Sequence, residues 1–209
     1  SERWPALYPF VDLLESAEPP ADAGSRDIMF GAEVLLRTGN ELPDAWRDAL
    51  IDLAESSGDD QGKSRAARLL IAHETIKNSD KLADVIAKYR DSLSPSKVAL
   101  VAEMPQALDI SNTDALNNDM PYDKGAGLTF GKDYVMPSVI LMDYLDQAIE
   151  DRSLGNVILF SAIALQSMEP AEMYPGMLRT VLTGFRTVGL NNEARMIAID
   201  AILGKTGEV

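Results

Sequence analysis

Apolar side chains recur every three or four positions along most of this chain, a period that fits α-helices and no β-strand. Proline and glycine cut the pattern into segments. Ala6 to Ala17 carries Leu7, Phe10, Val11 and Leu14 on one face and stops at Pro19-Pro20. Ile28, Ala32, Leu35 and Leu36 mark a second helix that ends at Gly39, a residue suited to a left-handed cap. Pro43 opens a third, with Trp46, Leu50, Leu53 and Ala54 inward. After the polar break Ser57-Gly58-Asp59-Asp60, a fourth uses Ala66, Leu69, Leu70, His73 and Ile76 and is capped at Asn78-Ser79-Asp80. The fifth carries Leu82, Val85, Ile86, Tyr89 and Leu93. Ser94-Pro95 then opens a sixth as N-cap and first helical residue, and this helix ends near Met104.

From Ala107 to Val135 the period vanishes into a stretch rich in Asn, Asp and Gly. Helices resume at Pro137, with Leu141, Tyr144, Leu145, Ala148 and Ile149 inward, and continue through the apolar run Val157 to Leu165. That run is too short to span a bilayer and reads as the most buried helix. Pro175 opens a ninth helix with Leu178, Val181, Leu182 and Phe185; beyond Gly189 a tenth uses Ala194, Ile197, Ala198 and Ala201. The expectation is an all-α chain of antiparallel helical hairpins, stacked as a short α-solenoid or packed as an irregular bundle, the solenoid being favoured. About six helices fill residues 1–106, a long loop fills 107–135 and about four helices fill 136–209, with the whole able to form one continuous domain. The start Ser1-Glu2-Arg3-Trp4-Pro5 suggests a processed form or a domain excised from a longer chain, and Trp4 and Tyr8 beside Pro5 and Pro9 suggest an edge that packs against another element.

Leu50-x-x-Leu53, Gly58 and Ala67-Arg68-x-Leu70 echo Leu182-x-x-Phe185, Gly189 and Ala194-Arg195-x-Ile197, with a spacer four residues different. This helix, glycine turn and Ala-rich helix resembles the hairpin of tetratricopeptide-type repeat proteins, most clearly over Leu178 to Leu203. The likeness covers two hairpins and does not keep the ~34-residue period, so it is to a structural class. It implies a protein-binding scaffold.

Charge narrows the partners. The 33 acidic and 19 basic residues leave a formal net charge of -14, which opposes phosphate backbones and anionic lipid. Nucleic acid and membrane insertion are not expected. Residues 1–104 and 105–209 each carry -7 (19 acidic and 12 basic, then 14 and 7), so neither end is a specialised charged tail. The chain has no cysteine, hence no thiolate chemistry, and cytoplasm and periplasm both stay open.

Several constellations mimic chemistry. Gly58-Asp59-Asp60-Gln61-Gly62-Lys63-Ser64 ends like a phosphate-binding loop but has three residues between its glycines where the motif needs four, follows a helix, and carries two aspartates. It reads as a turn opening a helix. Gly125-x-Gly127-x-x-x-Gly131 is too long for a dinucleotide fingerprint. His73 is the single histidine and lies on an apolar stripe, which suits a hydrogen-bonded core role. Asp109, Asp114, Asp119 and Asp123 lack the order of a calcium loop, and Asp143, Asp146 and Glu150 read as a solvated face. No cofactor and no metal are expected. The methionines concentrated after Met104 suit either core filling or an adaptable groove.

The long loop offers a contact surface, with Tyr122, Phe130 and Tyr134 supplying area and Lys124 and Lys132 supplying charge for a carboxylate or an acidic peptide. The expected function is therefore a non-enzymatic scaffold that binds another protein. The alternatives are an enzyme of an unfamiliar all-helical class with carboxylates under the 107–135 loop, and a purely structural domain.

Overall fold

The computed structural model describes residues 23–56, 59–110, 138–166 and 169–204, together with Val11, Asp12, Leu14, Glu18 and Pro19. The described residues are all-helical: α1 Ser25–Arg37, α2 Asp44–Glu55, α3 Asp60–Lys77, α4 Leu82–Tyr89, α5 Pro95–Ala102, α6 Met104–Ala107, α7 Val139–Glu150, α8 Leu154–Gln166, α9 Pro175–Thr187 and α10 Asn191–Leu203. Short 3-10 turns sit at Arg90–Ser92 and Pro170–Glu172. Apart from Val11, Asp12 and Leu14, the first expected helix lies outside the described residues, as do the aromatic edge at Trp4 and Tyr8, the loop from 111 onward and its five contact residues.

One stop signal ends helix after helix. Gly39, Asn78, Asp109, Arg152 and Gly189 all take positive φ. In each case the next N–H reaches back five residues along the chain to a free carbonyl: Asn40 to Leu35, Ser79 to Glu74, Ile110 to Pro105, Ser153 to Ala148 and Leu190 to Phe185. Starts are varied. Asp59 caps α3 by accepting from the Gln61 N–H at 3.1 Å, and Ser94 caps α5 by accepting from the Lys97 N–H at 3.3 Å. Residues Asp59 to Ser64 of that motif thus open a helix, and Asp59 fills the place an anion would need: a Cβ on Gly62 would meet its Oδ2 at 2.5 Å.

The longest helix, α3, is the hub, with α1, α2, α4 and α10 packed around it. Its Ala66, Leu69, Ile71 and Ala72 have no solvent exposure. Of the two packings expected, these contacts are those of the bundle, because α10 lies across α3 and α1 although more than a hundred residues of chain separate them. The far end of α10 is tied down by cations from three helices. Arg37 of α1 donates through Nη2 to the Gly204 carbonyl at 2.5 Å, Arg68 of α3 to Leu203 O at 3.2 Å and Lys97 of α5 to Ala201 O at 2.9 Å. Positive charge there offsets the negative end of the helix dipole. Arg37 also holds Glu33 and Asp200, each at 2.8 Å, and Glu33 takes a second cation from Arg65 at 2.8 Å.

One expectation needs correction at this level. The irregular stretch does not begin at Ala107, because Ala107 closes α6 and Leu108 and Ile110 are buried with it. Arg186 of α9 secures that end by donating to Ala107 O and to Asp109. Of the methionines, Met173 and Met177 are wholly enclosed and fill core, one of the two roles that suited them.

His73 takes the core role read for it. It is buried on α3, and its Nδ1 accepts from the Leu42 N–H at 3.1 Å, fixing the extended segment between α1 and α2. Burial holds its pKa below 6.5; Glu74 and Glu41 pull upward against it, and Lys77 and Arg47 reinforce it. A lowered histidine pKa means that the unfolded chain takes up the proton first, so the stability present above pH 6.5 is lost as pH falls through the folded pKa. Between pH 7.5 and 5.5 the native chain is expected to lose up to about 1.4 kcal/mol more stability than His73→Asn, whose amide oxygen keeps an acceptor near Nδ1 without titrating. Urea unfolding at the two pH values measures this; equal losses would exclude the assignment.

Candidate protein-interaction face

Helices α7 and α8 form a hairpin joined by Asp151, Arg152 and Ser153. Arg152 stands at φ 49°, where glycine or asparagine is commoner, and its N–H bonds to Ile149 O at 3.0 Å. The inner side of the hairpin rests on α9. There the backbone of Gly184 comes so close that a Cβ would stand 3.1 Å from Ile149 and 3.2 Å from Val157.

Helix α8 carries no charged residue in its 13 positions, yet only Val157, Ser161 and Ala164 are buried. The expectation of the most buried helix is therefore corrected: Leu154 is 48% exposed, Ile158 42%, Leu159 52% and Ile163 44%. At ~100° per residue, Ile158, Ala162, Gly155, Leu159 and Ile163 fall on one outward arc of roughly 140°, opposite the three buried positions. The adjoining part of α7 continues this surface, with Ile140 67% and Tyr144 58% exposed. Tyr144, expected inward, turns out instead and stacks on Phe160 across the hairpin with ring centroids 5.5 Å apart.

Farther round α7 the surface changes character. Asp143, Asp146 and Glu150 follow Ile140 around the helix, all exposed, with Val139 at 74% exposure among them. No ion pair engages these three carboxylates among the described residues. The arrangement is an uncharged apolar face with an acidic border along one side. Exposed leucines taken singly need no explanation, but a cluster spread over two packed helices is an apolar patch of the sort found at protein, ligand or membrane contact sites.

Among the described residues three of the four buried polar side chains are engaged, and the fourth, Ser161 on the inner side of α8, makes no hydrogen bond through its Oγ. Glu33 is shared by Arg37 and Arg65, His73 holds Leu42, and Thr75 donates to Ile71 O at 2.9 Å. Among the described residues no group of three or more His, Cys, Asp or Glu could hold a metal ion. No described helix is long and apolar enough to cross a membrane.

Sequence reasoning missed this face because an all-apolar helix is an identical signal whether it is buried by its own chain or by another. The distinguishing sign lay in α7, where Val139, Ile140 and Tyr144 stand outside the stripe of Leu145 and Ala148. The sequence-derived contact residues Tyr122, Lys124, Phe130, Lys132 and Tyr134 lie outside the described residues, so geometry brings none of them to this face. No protein-family model, curated protein or solved structure matches the chain.

Proposed function

We propose that this chain is a non-enzymatic helical scaffold that binds another protein through the outer face of the α7–α8 hairpin. The observation that carries the reading is the apolar arc of Ile158, Leu159 and Ile163, continued by Ile140 and Tyr144, on a helix pair whose inner side is already satisfied by α9. Apolar cores of interfaces are built this way, with aromatic and aliphatic anchors central and charge at the border. The likeness of the Leu178–Leu203 hairpin to tetratricopeptide-type repeats supports a scaffold of this kind. The loop residues Tyr122, Lys124, Phe130, Lys132 and Tyr134 belong to the same proposal as a second contact strip, with the two lysines suited to a carboxylate.

Photo-crosslinking in the native host tests the reading. A benzophenone amino acid placed at Leu159 should give a discrete crosslinked protein, while the same group at Asp48, exposed on α2, should not. Adding Ile158→Asp should abolish the adduct. No adduct at Leu159, or the same adducts at both positions, would overturn the assignment.

A further inference from the structure

Resting on that reading of the hairpin face, we infer that its partner presents an amphipathic helix whose apolar stripe is flanked on one side by Lys and Arg. Two independent features set this chemistry. The centre of the face is uncharged across α8, and a single helix lays its apolar stripe into such a surface through anchors at three- and four-residue spacing.

The border is charged on one side and with one sign. Among the described residues Asp143, Asp146 and Glu150 run along α7 without an ion-pair partner, while the other edge of the face, at Ile158 and Leu165, is apolar. Arg152 in the turn is the single cation in residues 138–166, against four carboxylates there. A helix seated on α8 therefore has a row of carboxylates beside one flank and the uncharged side chains of Ile158 and Leu165 along the other. Lys or Arg on that flank gains attraction at the contact and during approach to a chain of net charge -14. A second copy of this chain would bring its own acidic border and the same net charge, and an anionic lipid surface has the wrong sign.

The test uses the full chain and two labelled ~18-residue peptides sharing one leucine stripe at helical spacing, one with a lysine flank and one with the same flank in glutamate. Fluorescence anisotropy at low salt should show the lysine peptide binding at least about tenfold more tightly, an advantage that shrinks as salt rises. Asp143→Lys/Asp146→Lys/Glu150→Lys should erase or invert the preference. Asp27→Lys/Asp80→Lys/Asp84→Lys makes the same change in net charge at exposed positions outside the hairpin and should leave it. Leu159→Asp should abolish binding of both peptides, with helicity by circular dichroism confirming that each variant is folded.

Equal effects of the two triple variants would show that net charge, not the border, selects the peptide, and would overturn the inference. Equal binding of both peptides, lost in Leu159→Asp, would also overturn it while leaving the protein-binding reading standing. If light scattering finds a dimer that Leu159→Asp dissolves, the face belongs to a second copy. If phosphatidylcholine–phosphatidylglycerol vesicles bind the native chain and not that variant, it belongs to a membrane surface; either result overturns the inference.

Discussion

Replacing Arg37 with methionine is expected to destabilise the chain by about 3 kcal/mol at pH 7, because it leaves a buried glutamate short of one cation. The arginine side chain is 7% exposed and that of Glu33 8%. Its three donors serve three separate acceptors: Nε holds Glu33 of its own helix, Nη1 holds Asp200 of α10, and Nη2 holds the Gly204 carbonyl. A lysine has one charge centre and no planar fork, so Arg37→Lys should recover only a minor part of the loss.

The three contacts are not equal. Asp200 is 51% exposed, so solvent screens its share. Desolvation, opposed by Arg37, also holds its carboxyl above the usual aspartate range. A raised carboxyl pKa contributes stability that is lost as pH climbs through it, so the ionised form at neutral pH is not where the stabilisation lies. Asp200→Asn should accordingly change stability by less than about 1 kcal/mol. The double variant Arg37→Met/Glu33→Leu, which removes the buried charge with its partner, should regain much of what Arg37→Met loses, although Arg65 then stands without its carboxylate. Urea unfolding of the four proteins decides the matter; a loss below 1 kcal/mol in Arg37→Met would show that the tie between α1 and α10 is dispensable.

That tie also shows where reading the sequence reaches its limit. Local signals placed the helices well: Gly39, Asn78 and Gly189 end α1, α3 and α9, and Pro95 and Pro175 open α5 and α9. Asp109 and Arg152 close helices by the same left-handed turn and went unread, since aspartate adopts that conformation only occasionally and arginine seldom. Periodicity gives the width of an apolar face and not what covers it. It therefore could not place α10 on α3, nor connect Arg37 with an acceptor 163 residues away. For the same reason it treated α8 as interior. Its uncharged sequence satisfies the pattern of a core helix, and only the packing of α7 and α9 on one side shows that the other side is open.

Adding a single methyl group at Gly31 is expected to have opposite effects in two backgrounds. In the native chain a Cβ there would lie 2.5 Å from both Cη2 and Cζ3 of Trp46, a rigid ring that is 3% exposed. The indole of α2 rests directly on the backbone of α1, and Gly31 is the residue that lets it do so. A glycine in mid-helix costs about 1 kcal/mol against alanine, so this site accepts a local penalty for a close helix–helix approach. Gly31→Ala must displace the ring or part the two helices, at about 1–3 kcal/mol. Trp46→Ala alone should cost about 3–5 kcal/mol through lost burial and the cavity left behind. Once the ring is gone the obstacle is gone too, and Gly31→Ala then adds helix propensity and fills part of the void, stabilising that background by up to about 1 kcal/mol. The double-mutant cycle should therefore show a coupling of about 2 kcal/mol or more, favouring the pair of changes made together. Equal penalties for Gly31→Ala in both backgrounds would mean that the helices part freely at this point. The contact between α1 and α2 would then rest on the surrounding side chains instead of on the indole against the glycine.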